Sequence, residues 1–204
     1  MIEIRDLHKS FSGKPVIGGL SFYFDDGVFY LISGPSGCGK STLLRIIAGL
    51  DRKYSGLVRA PLKASMSFQD IRLFPWLNVV QNASVGLWSD NADGGDVLAK
   101  AGELLTELGI AEEYFKASPG ELSGGMQARV GLARALLRDA GVYLFDEPFA
   151  NLDKDTAALC GDVIRKRVCV PGKHCLIVSH NTDTFPDARL LECRGTPVNA
   201  LATI

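Results

Sequence analysis

The segment Gly34–Ser41 constrains this chain more than any other, because it lies between a continuous apolar stretch and a helical pattern. It reads Gly34, Pro35, Ser36, Gly37, Cys38, Gly39, Lys40 and Ser41, with Thr42 next. Val28–Ser33 before it has the apolar character of a buried parallel strand, and Lys40–Leu50 after it has helical spacing. Backbone N–H groups surround phosphate in such a strand–glycine loop–helix arrangement. The segment therefore predicts a nucleoside triphosphate site in an α/β fold.

Three residues of this loop have distinct expected roles. The glycines let backbone N–H groups approach phosphate oxygens without Cβ obstruction. Lys40 is expected to reach the β- and γ-phosphates, and the Ser41 hydroxyl to bind Mg²⁺. Cys38 is interpreted as a small residue at a free position of the loop rather than as a nucleophile. The alternative is a glycine turn before a helix with no ligand.

A second candidate site element is the apolar strand Val142–Asp146, which ends in a carboxylate. Asp146 is then expected at the carboxyl edge of the sheet, where ligands bind, as a further Mg²⁺ ligand. Glu147 places a second carboxylate beside it, which costs energy unless a cation or a proton-accepting role compensates. Two acids at a solvated strand end are the alternative interpretation.

A second glycine motif, Leu122-Ser123-Gly124-Gly125-Met126-Gln127, directly precedes a helical pattern over Gly125–Leu137. Ser123 is typical of a helix N-cap, and the glycines leave N–H groups free to face an anion. The chain already has a complete phosphate loop, so a second such helix start needs a second nucleotide or a nucleotide bound to another subunit. A capped helix after a glycine turn is the alternative.

The alternation of strands and helices predicts a mostly parallel sheet with crossovers. Further strands are expected at Ile2–Asp6, Leu20–Phe24, Ser65–Phe68 and His174–Ser179, and a further helix at Lys154–Val168. The stretch 72–137 is predicted to be helical throughout, with a turn at Asn91–Gly95, and to interrupt that alternation as an insertion.

Composition limits the functions that fit. A length of 204 residues suggests one domain with a subdomain, and 22 basic against 23 acidic residues give no footprint for nucleic acid. Apolar runs are too short to cross a bilayer, and Met1–Phe11 has no leader pattern, so a protein that is not secreted is expected. The five cysteines, Cys38, Cys160, Cys169, Cys175 and Cys193, lack metal spacing and predict reduced thiols in the cytosol.

The motifs, taken in order from Phe11 to His180, resemble those of the ATPase subunit of an ATP-binding-cassette (ABC) transporter. The resemblance implies ATP and Mg²⁺ as cofactors and a dimer in which Ser123–Gly125 of one chain covers the ATP bound at Gly34–Ser41 of the other. It implies that Glu147 is the general base and that the residues Asn151-Leu152-Asp153 touch the partner.

Three further residues acquire roles only through this resemblance. Gln69 would reach Mg²⁺ and the attacking water, His180 would contact the γ-phosphate, and Phe11 would lie against adenine. For Phe11, a core aromatic is the alternative, because Phe22, Phe24 and Phe29 are nearby core candidates.

The resemblance also implies the architecture and the partners. The fold expected is a P-loop NTPase core over 1–71 and 138–204, with a small N-terminal antiparallel β-subdomain and a helical subdomain over 72–137. Partners would be a second copy or a homologous ATPase subunit, separate transmembrane permease subunits and a solute-binding protein, with no nucleic acid. The chain would be cytoplasmic, held at the inner face of the cell membrane by the permease.

Departures from the family pattern predict local differences. Gly56–Ser65 is short, so the β-subdomain is expected to be trimmed. Less helix than usual is expected after His180, Asn181 stands where an acid is common, and no regulatory C-terminal domain would fit.

The string from Phe68 to Leu77 is most similar to importers of the nitrate, sulfonate or taurine type. Its apolar residues predict the surface on which the permease docks; they are Ile71, Leu73, Phe74, Trp76 and Leu77. Two alternatives remain: a soluble non-transport ABC ATPase acting in nucleic-acid repair or on ribosomes, and a P-loop kinase of small molecules. The first usually shows a tandem cassette, a long coiled coil or a basic patch, none of which is present in the sequence. The second does not need Leu122–Gly125 or His180.

Overall fold

The computed structural model describes residues 1–61, 63–87, 94–180, 185 and 187–203. In these ranges the chain forms nine strands and five α-helices. The strands are β1 Ile2–Phe11, β2 Lys14–Phe24, β3 Phe29–Ser33, β4 Ser55–Arg59, β5 Ala64–Ser67, β6 Val142–Asp146, β7 His174–Val178, β8 Arg189–Arg194 and β9 Ala200–Thr203. The helices are α1 Lys40–Ile47, α2 Val79–Ser84, α3 Gly94–Glu107, α4 Gly124–Leu137 and α5 Lys154–Val168.

The main sheet has the order β5-β6-β7-β3-β8-β9 and is parallel except for β9. Its central strands are buried apolar runs, as a sheet covered on both faces requires. Both Asp146 and Ile32 are in register with Val178. The carboxyl ends of β3, β6 and β7 therefore lie level, and the segments that follow them meet at one edge.

Successive residues of these strands face two separate cores. Phe29, Leu31 and Phe145 point to a core shared with α2 to α5, whereas Tyr30, Ile32 and Leu144 point to one shared with α1 and the N-terminal strands. This two-residue period is the expected pattern for a strand.

A smaller antiparallel sheet with the order β2-β1-β4 covers the second core. It joins the main sheet through a bridge between Ile17 and Val198. Next to this bridge, Gly18 lies so close to Pro197 that a Cβ on Gly18 would be 2.8 Å from the Pro197 ring. The predicted mixed α/β P-loop fold with an N-terminal antiparallel sheet is confirmed.

The segment 69–78 is not helical, which corrects the helical prediction at the start of 72–137. The side chain of Asn82 in α2 is fully buried and fixes this segment: Oδ1 accepts from Phe74 N–H, and Nδ2 donates to the carbonyls of Phe74, Leu77 and Asn78. Backbone groups at 74, 77 and 78 that bond to this buried amide compete with helical hydrogen bonds, and the segment forms a turn closed by Leu77 N–H and the Phe74 carbonyl instead. Helices α2, α3 and α4 pack on one another, and the division at residues 72 and 137 stays a prediction.

Other boundaries also differ from those predicted. Helix α1 ends at Ile47, so Leu50 lies beyond the helix and is exposed rather than on its apolar face. Gly94 and Gly95 begin α3 instead of ending a turn; residues 91–93 and Asn181 lie outside the described part. Strand β9 has no counterpart in the sequence prediction. No helix in the described ranges combines the length and apolar character needed to cross a bilayer.

Candidate functional site

The phosphate loop leaves the start of α1 open. Gly39, at the N-cap position of α1, has a φ of 116° and supplies no side-chain oxygen to cap the helix. The first N–H groups of α1 are therefore not satisfied by a side chain and can bind an anion. The Lys40 ammonium donates to the carbonyls of Gly34 at 2.7 Å and Pro35 at 3.0 Å, which holds its positive charge over the loop.

The structure brings together the three residues predicted to hold Mg²⁺. The Ser41 hydroxyl donates to Asp146 Oδ1 at 3.0 Å across a sequence separation of 105 residues. Both residues and Gln69 line a cavity of about 480 Å³. Hydroxyl, carboxylate and amide oxygens are hard donors that suit Mg²⁺, which usually keeps several water or phosphate ligands. The described residues contain no group of three or more His, Cys, Asp or Glu side chains placed to hold a metal ion. The mixed oxygen donors Ser41, Asp146 and Gln69 fit the Mg²⁺ ion that the sequence predicts, and that ion stays a prediction.

Glu147 follows Asp146 in an unusual backbone conformation, with a φ of 51°. Its N–H donates to the Val178 carbonyl at 2.9 Å, which ties it to the end of β7. Its Oε1 atom is buried without a hydrogen-bond partner among the described residues. Burial raises the pKa of the Glu147 carboxyl, and the nearby His180 opposes that shift.

His180 lies beside this carboxylate at the same sheet edge. Its Nε2 atom is 3.3 Å from Glu147 Oε1, within ion-pair distance, and its backbone N–H donates to Oε2 at 3.4 Å. The His180 side chain is 56% exposed, whereas that of Glu147 is 10% exposed. An exposed imidazole and a shielded carboxylate therefore lie next to each other beside Asp146.

Phe11 lies against the phosphate loop, not in a core. Its side chain is 49% exposed, so the alternative of a core aromatic is wrong. With Gly37, Lys40 and Thr42 it lines a cavity of about 270 Å³. The Lys9 ammonium lies 4.5 Å over the centre of this ring, and the contact of Phe11 with adenine stays a prediction.

Ser123, Gly124 and Gly125 form the beginning of α4. The Ser123 hydroxyl accepts the Met126 N–H at 3.2 Å, so Ser123 is the N-cap. Gly125 packs so closely on the loop before α5 that a Cβ there would be 2.9 Å from the Asn151 carbonyl oxygen. These three residues do not line the two cavities at Gly34–Ser41 described above.

Two residues at the site were not predicted from the sequence. Arg134 in α4 and Arg45 in α1 line the same cavity as Ser41 and Asp146. Burial lowers the pKa of Arg134, whose guanidinium also donates to the Arg72 carbonyl. Arg134 follows Gly131 by three residues, so the sequence alone could have placed both residues on one face of a helix. The sequence gives no sign, however, that this helix face borders the cavity.

Comparison with known proteins identifies the family. A family model described as "ABC transporter" matches residues 17–150. An aliphatic sulfonates import ATP-binding protein of Rhizobium johnstonii is 39% identical over 184 residues, covering 89% of this chain and 72% of the relative. The chain belongs to the ABC transporter family. A similar protein of Mesorhizobium japonicum is 40% identical over 200 residues, covering 96% of this chain and 78% of the relative.

Two solved structures of ABC cassettes have the same fold. A dimeric post-hydrolysis state of the cassette MJ0796 bound to ADP and Pi has a TM-score of 0.87 at 24% identity and covers 100% of this chain and 98% of that chain. A second dimeric MJ0796 structure, described as a bacterial ABC transporter cassette, has a TM-score of 0.84 at 25% identity, with 94% of each chain covered. The prediction of an ATP-binding, ATP-hydrolysing ABC transporter subunit is confirmed. The roles of individual ABC site residues stay predictions.

Proposed function

We propose that this ABC subunit hydrolyses MgATP at the edge of its main sheet to drive an importer. The observation that carries the proposal is the 3.0 Å contact between Ser41 and Asp146, with Glu147 directly after Asp146. A hydroxyl from the phosphate loop and a strand-end carboxylate are the ligands that P-loop ATPases use for Mg²⁺. Neither a glycine turn without ligand nor two solvated acids explains why these side chains converge.

Each residue of the site has a separate task in this mechanism. Mg²⁺, when bound, would neutralise phosphate charge between Ser41, Gln69 and Asp146. Lys40 and the open start of α1 bind the β- and γ-phosphates and stabilise charge that develops in the transition state. The raised pKa of Glu147 makes its carboxylate a better proton acceptor for the attacking water. His180 holds that carboxylate in place and reaches towards the γ-phosphate.

The proposal is tested by the Mg²⁺ dependence of ATP hydrolysis. Ser41→Ala removes one ligand, and losing one hydrogen bond to a charged group costs about 1.5–3 kcal/mol. We expect the Mg²⁺ concentration at half-maximal activity to rise at least about tenfold. Ser33→Ala is the control, because its hydroxyl donates to the Leu191 carbonyl instead. Equal Mg²⁺ dependence in both variants would contradict the assignment of Ser41.

A dimer that shares its ATP sites is supported by the placement of α4. Ser123–Gly125 begin a helix whose N–H groups suit an anion, yet they do not line the cavities at Gly34–Ser41; Gly125 packs on Asn151 and Leu152, and Gly124 borders open space. A second chain can present this helix start to the phosphates of the first. The two similar solved structures are dimers.

A permease docking surface is proposed at 71–77. Trp76 is 75% exposed and stacks near Phe74, with ring centroids 5.4 Å apart. Ile71 packs on Gly131, and Arg134 of α4 donates to the Arg72 carbonyl at 3.1 Å. This segment thus presents an exposed aromatic from a backbone fixed to α2 and α4, which suits a helix of a membrane partner at the inner face of the membrane.

The proposed cargo is an aliphatic sulfonate or a similar organic anion. The relatives named above are sulfonate import ATP-binding proteins, and the string from Phe68 to Leu77 is similar to importers of the same group. A solute-binding protein would deliver the anion to the permease. Growth on an alkanesulfonate as sole sulfur source should be lost on deletion of this chain and retained on sulfate; growth on both would reject the cargo.

A further inference from the structure

The phosphate loop contains a thiol that faces a second thiol from the neighbouring strand. A Cβ placed on Gly34 would be 3.0 Å from Cys193 Cβ in β8 and 3.4 Å from Cys38 Sγ in the loop. The two cysteines therefore line the same space beside Gly34, where Cys38 helps to raise the pKa of Cys193. Both belong to the core beneath α1, in which Cys193 is buried and Cys38 lies partly exposed at the margin.

We propose that Cys38 and Cys193 form a reversible disulfide that switches off nucleotide binding. The oxidant is a small peroxide. The Cys38 thiolate attacks a peroxide oxygen, the O–O bond breaks, and a sulfenic acid forms with release of hydroxide. The Cys193 sulfur then attacks Cys38 Sγ, loses its proton and displaces the sulfenic oxygen as water. Two thiols are oxidised, hydrogen peroxide is reduced to two waters, and a dithiol reductant reverses the step.

The environments of the two sulfurs fix this order. Cys38 is the accessible thiol and meets peroxide first. Burial and the adjacent Cys38 raise the pKa of Cys193 to about 12, so it stays protonated and unreactive toward the solvent oxidant. It reacts only with the sulfenic acid held beside it, and the nearby charge of Lys40 favours its thiolate at that moment.

The covalent bond changes the loop that binds phosphate. A disulfide holds its sulfurs about 2.05 Å apart. In the proposed switch, closing this bond draws Cys38 toward β8 and shifts the loop at Gly34, which contacts both cysteines. Its N–H groups then no longer match phosphate oxygens, and nucleotide affinity falls. This inference rests on the proposed nucleotide site at Gly34–Ser41.

The test treats the full-length protein with hydrogen peroxide and follows two readouts. Mass spectrometry of an unreduced tryptic digest should show the peptide 10–40 linked to the peptide 190–194. Binding of a fluorescent ATP analogue should weaken at least about tenfold, which is about 1.4 kcal/mol, and dithiothreitol should restore it. Cys193→Ala should prevent the link and the dithiothreitol-reversible loss.

Cys169→Ala is the matched control, because it disrupts the other pair of neighbouring thiols, Cys169 and Cys175, each of which shifts the pKa of the other. It should form the 10–40 to 190–194 link and lose nucleotide as the wild type does. Absence of the link, or a link with unchanged nucleotide affinity, overturns the inference. A reduced protein that binds no nucleotide would overturn the proposed nucleotide site, and this switch with it, whether or not the link forms.

Discussion

The carboxylate of Glu147 combines three features that are each costly for a folded protein. Its backbone has a positive φ, its neighbour Asp146 is a second acid, and its Oε1 atom is buried without a hydrogen-bond partner among the described residues. Strained, desolvated groups of this kind persist at functional sites, each at a cost of about 1–3 kcal/mol. A base for an attacking water needs such an oxygen, since a satisfied carboxylate would accept a proton less readily.

Glu147→Gln should keep the shape of this side chain and remove its basicity. General-base catalysis contributes roughly 10²–10⁴-fold to rates, so we expect ATP turnover to fall by about that factor. ATP binding should be unchanged, and an ATP-bound dimer should accumulate because it cannot reopen. Steady-state hydrolysis and size-exclusion chromatography with ATP measure the two effects. Turnover at the wild-type rate would exclude Glu147 as the base.

The pH dependence of hydrolysis should also report on Glu147. Burial raises the pKa of this carboxyl, and a protonated Glu147 cannot accept a proton. As the pH falls, kcat/KM should therefore begin to decrease at a higher pH than a solvated glutamate would give. The charge of His180 lowers this pKa, so His180→Asn should shift the acidic decrease of kcat/KM to a still higher pH. An acidic decrease that stays at the same pH or shifts to lower pH would contradict the electrostatic effect of His180 on Glu147.

At the scale of elements, the first turn of α4 depends on close packing at one glycine. Gly125 meets the Asn151 carbonyl and the Leu152 side chain, whereas a Cβ at Gly124 would meet no atom within 4 Å. The two adjacent glycines therefore differ in what they permit. Gly125 allows the helix to approach the loop before α5, and Gly124 leaves an open surface for a ligand.

Alanine at these two positions gives a matched pair. The added methyl of Gly125→Ala would push α4 away from the Asn151 carbonyl, which is held by the backbone. We therefore expect a loss of about 1–3 kcal/mol in the free energy of unfolding. Gly124→Ala adds a methyl to open space and should leave stability unchanged or raise it by up to about 1 kcal/mol. Urea denaturation measures both. Equal stabilities would show that the Gly125 contact is not tight.

Elements with a strong local pattern could be predicted from sequence. The bounds of β6 and α5 agree with the prediction, because a continuous apolar run and an Asp153 N-cap are local signals. Strand β9 is too short for a period to show and forms only by pairing with β8.

The loop at 69–78 could not be predicted, since a buried amide from α2 replaces helical hydrogen bonds there. The convergence of Ser41 with Asp146 was expected from the glycine loop and the strand-end carboxylate, whereas that of Cys38 with Cys193 depends on the order of the strands in the sheet.

At the scale of the whole molecule, shared ATP sites predict complementation between defective chains. Ser123→Arg blocks the covering surface, and Lys40→Ala disables the phosphate loop, so each homodimer should be inactive. In their heterodimer one site combines an intact loop with an intact Ser123. Mixing the two should restore ATPase activity to at most about half, with one site of two intact.

The control carries both changes in one chain. Mixed with wild type, the Ser123→Arg, Lys40→Ala double variant forms heterodimers with no intact site and should add no activity. Full-rate hydrolysis by Ser123→Arg alone would show that the beginning of α4 is not used between chains.

If the permease docks at 71–77, a charged substitution in this segment should uncouple transport from ATP hydrolysis. Trp76→Glu should abolish transport in the assembled complex while basal ATPase activity stays within about twofold, because an exposed side chain carries little stability. Leu98→Glu, at a 38% exposed leucine on α3, is the control and should transport normally. A cysteine at Leu77 should cross-link to the permease. Normal transport by Trp76→Glu would place the docking surface elsewhere.

The attachment of the segment 71–77 to α4 has a consequence for the direction of signalling. Arg134 holds the segment near one end of α4, and Ser123 begins the other end, about 16 Å from Arg134 along the helix. In the proposed dimer, a displacement of Trp76 would therefore be carried along α4 to the surface that covers the neighbouring subunit's nucleotide. The coupling would therefore cross the dimer: the position of each half of the permease would affect the ATP bound by the opposite cassette. Such crossed coupling favours concerted conformational changes of the two halves over independent ones.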